Sequence, residues 1–292
     1  MVETGKSTSR QKSEPLPLSD RPPNQILVTG AGGRVGQLVL RALAGAPDAP
    51  RIVTLSRSPG ADVVWSPVTA PCPPVPTCDA VLALWGVTSG DDAALSSNSA
   101  LARQARRAAI AAGASRVIHL SSAAVYGGGL DLRESDPARP ISAYGRAKLA
   151  MEHTIAALPR REGLSHCCLR LANVLGADSL TPALASGAPV TLDRFADGHG
   201  PLRSYISPAA LARVLLALTR LPASRLPPLL NVASAPPLRM ETLVRAAGCQ
   251  LAWRPAADDA LAAVTLDRSA LSALLPALPP DSDVMALAGS ES

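Results

Sequence analysis

The chain has 292 residues, of which 47% are apolar but only 2% aromatic, and its formal net charge at pH 7 is +5. This length can bury a substantial core and fits one large domain, or a large domain with a small lobe. The basic residues are spread along the chain rather than clustered and interleaved with aromatic side chains, which argues against a nucleic-acid-binding protein.

The chain begins, over residues 1–24, with a polar segment rich in Pro and Ser that predicts a disordered tail. This segment lacks the apolar stretch of a secretory signal. No later segment approaches the roughly 18–20 apolar residues that a membrane span requires. We therefore expect a cytoplasmic protein without a membrane partner.

From Gln25 onward, strand-like and helix-like segments alternate, which is typical of a doubly wound parallel sheet. The scarcity of aromatic residues predicts a core of Ala, Leu and Val. The predicted strands cover residues 26–29, 52–56, 63–65, 80–84, 116–120, 166–171 and 229–233. The predicted helices cover residues 34–44, 93–112, 142–158 and 240–247, and one more starts at Ser207, an N-cap followed by Pro208.

The alternation of strands and helices loosens after Asn173. We therefore expect a main domain over residues 25–175, a small lobe over 176–280 interleaved with the last sheet elements, and a frayed tail over 281–292. The five cysteines are odd in number and irregularly spaced, and they predict reduced thiols and no metal site.

A glycine-rich turn, Thr29-Gly-Ala-Gly-Gly-Arg-Val-Gly36, follows the first predicted strand. The pattern GxGxxG fails because Val35 occupies its last position, but GxxGxxG fits Gly30, Gly33 and Gly36. Glycine lets the backbone turn sharply and approach a pyrophosphate, while the N-terminus of the next helix faces the anion. The turn predicts a dinucleotide site, although an ordinary glycine-rich loop would have the same sequence.

The residues after the second strand bear on the choice of cofactor. An acidic residue there would accept the 2′-hydroxyl of NAD, whereas an arginine accommodates the 2′-phosphate of NADP. The strand ends at Ser56-Arg57 with no carboxylate, and Arg34 in the glycine turn adds a second cation. The sequence therefore favours NADP over NAD, unless Arg57 is only a solvated surface charge.

Tyr144 and Lys148 are four residues apart on a predicted helix, so they share one helical face. An unperturbed phenol has a pKa near 10, and a neighbouring ammonium favours its ionised form. Tyr144 can then exchange a proton with a substrate hydroxyl or carbonyl while hydride moves to or from a nicotinamide. The alternative is a solvent-exposed helix pair without a catalytic role.

Several segments occur in the order found in one family, and the chain resembles the NAD-dependent epimerase/dehydratase branch of the extended short-chain dehydrogenase/reductase superfamily over residues 25–275. The matching segments are 29–36, 119–127, 144–148, 169–176, 203–208 and 231–234. The resemblance implies a Rossmann-like α/β fold, a doubly wound parallel sheet with a small C-terminal substrate lobe.

The resemblance also implies roles for single residues. Ser122 would hydrogen-bond the reacting oxygen, and Lys148 would also contact the nicotinamide ribose. Asn173 and Arg203 match positions that bind substrate in members acting on sugar nucleotides. The remaining expected cofactor contacts, beside the turn residues and Arg57, are Val35, Leu84, Trp85, Gly86 and Leu171.

The chain also departs from the family pattern. The second-strand carboxylate is missing, and Ala209-Ala210 stands where many members have two aspartates. We therefore expect an NAD(P)-dependent enzyme acting on a small molecule such as a nucleotide sugar, with epimerase, dehydratase and reductase all open. A non-catalytic NAD(P) sensor is the alternative, which the intact Ser, Tyr and Lys set disfavours. A homodimer through the Tyr144 helix is also left open.

Overall fold

The computed structural model of the protein describes residues 24–46 and 49–289, so the predicted N-terminal tail lies outside the described residues except for Asn24. The strands are, in chain order, β1 Gln25–Thr29, β2 Arg51–Ser56, β3 Val63–Val64, β4 Ala80–Ala83, β5 Arg116–Leu120, β6 Gly129–Leu132, β7 Ser165–Leu171, β8 Asn173–Val174, β9 Val190–Arg194, β10 Leu202–Arg203, β11 Tyr205–Ile206, β12 Leu229–Val232, β13 Leu238–Arg239, β14 Leu251–Pro255 and β15 Ala263–Leu266. The α-helices are α1 Arg34–Ala44, α2 Asp92–Ala112, α3 Ala143–Ala156, α4 Thr181–Ala185, α5 Pro208–Arg220, α6 Met240–Ala246, α7 Ser269–Leu274 and α8 Ser282–Gly289.

A parallel sheet of seven strands forms the centre of the fold, in the order β12-β7-β5-β4-β1-β2-β3. The chain starts at β1 and builds outward through β2 and β3. It then crosses to β4 and continues outward on the other side through β5, β7 and β12. This doubly wound α/β order confirms the predicted Rossmann-like fold. A crevice opens where the order reverses, at the carboxyl ends of β1 and β4.

Helices pack on both faces of the central sheet. On one face, α1 and α5 contribute buried aliphatic side chains such as Leu43 and Leu215. On the other face, α2 contributes mainly alanines, namely Ala105, Ala108, Ala109 and Ala112. Because alanine is small, α2 can pack closely against the sheet. No large aromatic side chains are therefore needed to fill the space between the helix and the sheet. The core is thus built mainly from Ala, Leu and Val side chains, as the composition predicted, although it also includes Ile118 and Tyr205.

Short strands outside the central sheet form a second group of elements. One small sheet has the order β13-β10-β15-β6, and two further pairs are β11-β8 and β14-β9. Four of these strands, β8, β10, β11 and β13, have only two residues, too few to show an alternating pattern, and none of the eight was predicted from the sequence. No helix within the described parts of the chain is long and apolar enough to cross a membrane.

The C-terminal segment differs from the expected frayed tail, because residues 282–289 form α8. Asp281, immediately before it, is buried and accepts hydrogen bonds from the amide of Ser207 at 2.8 Å and the hydroxyl of Ser234 at 2.6 Å. Val284 on α8 is fully buried. The segment is acidic and short, as the sequence showed, but one carboxylate and one apolar side chain fix it to the fold.

Candidate functional site

The glycine turn after β1 has the shape that its sequence predicts. Gly30 has a φ of +72°, and a Cβ there would overlap the backbone of Trp85. A Cβ on Gly36 would overlap the carbonyl oxygen of Gly30, so Gly36 allows α1 to pack against the turn. Gly33 has ordinary backbone angles, and a Cβ there would meet only the Gly30 oxygen, at 3.2 Å. Positions 30 and 36 therefore need glycine for backbone shape, whereas a Cβ at position 33 would be tight only against the Gly30 oxygen.

Helix α1 begins directly after Gly33 without a capping side chain and without an acidic residue in its first turn. The amide groups of a first helical turn have no partners within the helix, and the helix dipole places partial positive charge there. An uncapped helix N-terminus beside a glycine turn is a favourable site for a phosphate group.

A cleft of about 690 Å³ opens at the carboxyl ends of the central strands. Its lining includes every residue that the sequence predicted to contact a cofactor except Gly36, which lies on α1 against the carbonyl oxygen of Gly30. These are Gly30, Gly33, Arg34, Val35, Arg57, Leu84, Trp85, Gly86, Tyr144, Lys148 and Leu171. The fold thus brings the glycine turn and the Tyr144–Lys148 pair, which are distant in sequence, to the same cavity.

The charges around this cleft are all of one sign. Among the residues the structure describes, its lining includes Arg34, Arg57 and Lys148 and no carboxylate. Asp62, near the end of β2, is engaged elsewhere: its carboxylate accepts hydrogen bonds from the amide and hydroxyl of Thr54, at 2.8 and 2.7 Å. These hydrogen bonds lower the pKa of Asp62. The cleft therefore suits a ligand with several negative charges.

One wall of the cleft is formed by the loop after β3, residues 65–69, together with Trp85. Trp85 was predicted to contact the cofactor, whereas the contribution of residues 65–69 was not predicted from the sequence. The rings of Trp65 and Trp85 lie 5.9 Å apart between centroids and are tilted by 57°. Trp65 is buried and its indole N–H donates to the carbonyl oxygen of Ala70 at 3.1 Å. The only advance signal was one tryptophan at the end of the third predicted strand and another after the fourth.

Helix α3 carries Tyr144 and Lys148 into the cleft. Ser142 caps it, since its hydroxyl oxygen accepts the amide of Gly145 at 3.0 Å. A Cβ on Gly145 would overlap the carbonyl oxygen of Ala124, so glycine lets α3 pack against the short 3-10 helix Ala123–Val125. This close packing holds Tyr144 next to the segment that follows β5.

Ser122 lies at the start of that 3-10 helix. Its Oγ accepts the amide of Ala124 at 3.2 Å, and its hydroxyl also hydrogen-bonds to Tyr144. Ser122 itself is not part of the cleft lining. The structure thus places Ser122 next to Tyr144, while Tyr144 and Lys148 line the cavity.

The protonation of the pair differs from the expectation. Burial raises the pKa of Tyr144, and the hydrogen bond with Ser122 offsets only part of that rise. Burial lowers the pKa of Lys148 to about 8, and its Nζ donates to the carbonyl oxygen of Leu120 at 2.8 Å. At neutral pH the phenol is therefore protonated and the ammonium is mostly charged. The expected lowering of the Tyr144 pKa by Lys148 is not met, because burial has the larger effect.

Asn173 and Arg203, the predicted substrate residues, lie on β8 and β10 and outside the cleft lining. The backbone amide of Asn173 donates to the carbonyl oxygen of Ser204 at 3.1 Å. The guanidinium of Arg203 donates to the carbonyl oxygens of Leu202 and Leu261, both at 2.8 Å. The structure therefore does not bring Arg203 together with the Tyr144 end of the cleft.

A buried ion pair behind the cleft was missed by the sequence analysis. Arg170 on β7 donates to Glu152 on α3 through Nε, at 3.2 Å, and through Nη2, at 2.8 Å. The guanidinium also lies 4.5 Å from the centre of the Tyr126 ring. Two signals were available: an arginine inside a strand predicted to be buried, and a glutamate two helical turns after Tyr144.

Comparison with known proteins identifies related chains. The model of the NAD dependent epimerase/dehydratase family matches residues 26–205. A dTDP-6-deoxy-L-talose 4-dehydrogenase (NAD(P)(+)) of Kitasatospora kifunensis is 29% identical over 140 residues, 47% of this chain and 43% of that protein. A UDP-glucose 4-epimerase of Azospirillum brasilense is 40% identical over 73 residues, 24% of this chain and 21% of that protein. The matched part thus spans less than half the length of these curated relatives.

Solved structures share the fold over almost the whole chain. MoeE5 in complex with UDP-glucose and NAD has a TM-score of 0.72 and 22% identity, covering 90% of this chain and 96% of that chain. DesIV, a dTDP-glucose 4,6-dehydratase from Streptomyces venezuelae with NAD and TYD bound, has a TM-score of 0.69 and 20% identity, covering 91% and 95%.

Proposed function

Because the chain belongs to the NAD dependent epimerase/dehydratase family, we propose that it is an NAD(P)-dependent enzyme that transfers hydride and a proton at a hydroxyl or carbonyl carbon of a nucleotide sugar. One observation carries the proposal: the glycine turn and the Tyr144–Lys148 pair line the same cleft. A protein that only sensed a dinucleotide would need the turn but not the pair.

The residues of the cleft fit a nicotinamide dinucleotide. Its volume of about 690 Å³ lies in the usual range for ligand sites. The lack of a side chain at Gly33 and the uncapped start of α1 suit a pyrophosphate, and the cations of the lining favour its negative charge. The bound dinucleotide would supply the hydride acceptor or donor.

The acid–base work falls to Tyr144 in this proposal. Its phenol is protonated at neutral pH, so it can donate a proton to a substrate carbonyl oxygen or, once ionised, take one from a hydroxyl. Ser122 hydrogen-bonds to Tyr144 and can hold the same substrate oxygen. The Lys148 ammonium adds positive charge beside the phenol, which favours the ionised form during proton removal.

The finer preference for NADP over NAD rests on this chain's own residues. Arg34 and Arg57 line the cleft with the hydroxyls of Ser56 and Ser58, and no carboxylate of the described chain competes for the ribose. The two solved structures compared above hold NAD, so they lend no support to this preference. The dehydrogenase from Kitasatospora is named for both cofactors.

The substrate class is proposed from the relatives, whose names refer to UDP-linked and dTDP-linked sugars. The test is to incubate the purified protein with NADP or NAD and, in turn, UDP-glucose and dTDP-glucose, and to follow the sugar by NMR. A sugar inverted at one carbon indicates an epimerase, a dehydrated keto sugar a dehydratase, and accumulating reduced cofactor a dehydrogenase. If the protein binds a dinucleotide but neither binds nor converts any sugar nucleotide, the result would favour the alternative of a non-catalytic NAD(P) sensor.

A further inference from the structure

A second cavity, of about 520 Å³, lies between α5, α7 and the segment that leads into α8. Among the described residues, its lining shares none with the cleft that contains Tyr144 and Lys148. Its volume lies in the usual range for sites that bind small molecules. The chemistry of its walls therefore indicates what kind of ligand it can hold.

Most of the wall is apolar and is built from one face of each of two helices. Ala210 and Val214 are four residues apart on α5, and Leu271 on α7 is four residues before Leu275, which follows that helix. Met285 on α8 also lines the cavity and is 51% exposed. The apolar part of a ligand would cover surface that the chain leaves open to water.

Each of these two helix faces also carries an arginine. Arg213 lies beside Val214 on α5, and Arg268 immediately precedes α7, three residues before Leu271. Both side chains are partly buried, and within the described parts of the chain neither guanidinium has a hydrogen-bond or ion-pair partner. A guanidinium presents a planar fork of donors that matches the two oxygens of a carboxylate.

The carboxylates nearest to these arginines are already engaged. Asp281 belongs to the lining, but its Oδ2 accepts hydrogen bonds from the amide of Ser207 and the hydroxyl of Ser234, and its Oδ1 is shielded from solvent. Asp267, next to Arg268 in sequence, accepts the amide and the hydroxyl of Ser269 at 2.9 and 3.1 Å. The lining thus holds two guanidiniums and one engaged carboxylate, a net charge of +1 that one carboxylate on a ligand would balance.

We propose that this cavity binds a small monocarboxylate with an apolar body, of the kind of a medium-chain fatty acid. Arg213 and Arg268 would hold the carboxylate, and the apolar body would pack against Val214, Leu271 and Leu275. Because the two linings are separate, this site does not depend on which reaction the cleft performs.

Calorimetric titration of the full-length protein with decanoate tests the site. We expect saturable binding of one molecule per chain, below the concentration at which decanoate forms micelles. Decanol has the same tail without the charge, and acetate has the carboxylate without the tail. Each should bind at least about tenfold more weakly than decanoate, because each loses one half of the recognition.

The arginines are tested by substitution with methionine, which removes the charge and keeps an unbranched side chain. Arg213→Met and Arg268→Met should each weaken decanoate binding at least about tenfold without weakening the binding of decanol. Arg245→Met is the matched control, because Arg245 is an exposed arginine of α6 outside the lining. It should leave decanoate binding unchanged.

The cavity itself is tested by filling it. Ser272 is an exposed residue of α7 that lines the cavity, so Ser272→Phe adds a ring there without removing a buried side chain. This variant should lose decanoate binding and keep the stability of the wild type. Ala273, the next residue of α7, is also exposed but lies outside the lining, and Ala273→Phe should bind decanoate as the wild type does.

Three outcomes would overturn the proposal. The first is that the full-length protein shows no saturable binding of decanoate, and the second is that decanol or acetate binds as tightly as decanoate. The third is binding that is lost in Arg57→Ala but kept in Ser272→Phe, because decanoate would then occupy the dinucleotide cleft. Failure of the cleft to convert any sugar nucleotide would leave the result of this titration unaffected.

Discussion

The ammonium of Lys148 lies 5.9 Å from the centre of the Tyr144 ring, near the outer limit of a cation–π contact, while its hydrogen bond goes to a backbone carbonyl. The two side chains are thus neighbours on one helical face, but the charge does not reach the phenol oxygen through a hydrogen bond. The phenol keeps a raised pKa, and the protein presents a proton donor at neutral pH.

Replacing Tyr144 by Phe removes the hydroxyl and keeps the ring. Turnover should fall by roughly 10²–10⁴, the usual effect of losing a positioned acid–base group, while dinucleotide affinity is retained. Steady-state kinetics on the first accepted sugar nucleotide, with calorimetric titration of the cofactor, provide the comparison. A variant with wild-type turnover would remove Tyr144 from the mechanism.

Replacing Gly33 by Val should block dinucleotide binding without unfolding the chain. The new side chain would project beside the start of α1, where its Cβ would lie 3.2 Å from the Gly30 oxygen, the one atom within 4 Å. Gly45→Val, at the other end of α1, is the control, because its Cβ would meet only the Ala42 oxygen, at 3.9 Å, and Gly45 lies outside the cleft lining. Calorimetry showing equal cofactor affinity for both variants would place the dinucleotide elsewhere.

Replacing Arg57 by Ala should remove most of a preference for NADP. A charge-assisted hydrogen bond contributes about 1.5–3 kcal/mol, so the wild type should bind NADP at least about tenfold more tightly than NAD. Arg41→Ala, on the exposed side of α1 and outside the cleft lining, should leave the ratio unchanged. Equal wild-type dissociation constants for the two cofactors would contradict the assignment.

Replacing Lys148 by Met should stabilise the protein at neutral pH although it impairs function. The pKa of Lys148 falls from 10.5 in the unfolded chain to about 8 in the folded protein. Burying the charged lysine at neutral pH therefore costs about 3 kcal/mol of folding free energy. About 1 kcal/mol is lost with the hydrogen bond to Leu120, leaving a net gain of about 2 kcal/mol.

The pH dependence of that gain follows from linkage. Between pH 8 and 10.5 the unfolded chain binds a proton at Lys148 that the folded chain has released, so wild-type stability rises with pH there. The advantage of Lys148→Met should therefore shrink across this window. Urea unfolding of both proteins at pH 7 and pH 10 measures it, and an advantage independent of pH would contradict the buried-charge explanation.

Replacing Asp281 by Asn should destabilise the fold by about 1–3 kcal/mol at pH 7. Although burial opposes it, hydrogen bonds from Ser234 and Ser207 lower the pKa of Asp281 in the folded state. Its contribution is then present above the unfolded pKa of about 4 and is lost as the pH falls through the folded value. Thermal unfolding at pH 7 and pH 3 should show a larger deficit at pH 7 than at pH 3. Asp283→Asn, an exposed neighbour on α8, is the control.

The sequence predicted what depends on local pattern. The glycine turn, the helix cap at Ser207 and the seven strands of the central sheet all follow from periodicity and from residue types that favour one backbone shape. The two-residue strands β8, β10, β11 and β13 were not predicted, because their pairing depends on distant segments. The equally short β3 was predicted from the apolar run Val63-Val64-Trp65.

The site was predictable in part for the same reason. The Tyr144–Lys148 spacing fixes a shared helical face, but the raised pKa of Tyr144 comes from burial under segments far away in the chain. The backbone contacts of Arg203 with Leu261 are likewise set by tertiary structure. The Glu152–Arg170 pair joins a helix to a strand, so each residue alone resembled an ordinary charge.

Two of the chain's three tryptophans, Trp65 and Trp85, lie against each other in the wall of the cleft, and the third, Trp253, lies beside Arg194 elsewhere. Indole emission overlaps the absorption of reduced nicotinamide, so a reduced dinucleotide in the cleft should quench most of the intrinsic fluorescence by energy transfer. The Trp253 emission would remain as a steadier background. Cofactor occupancy could then be followed optically in every variant, before any substrate has been identified.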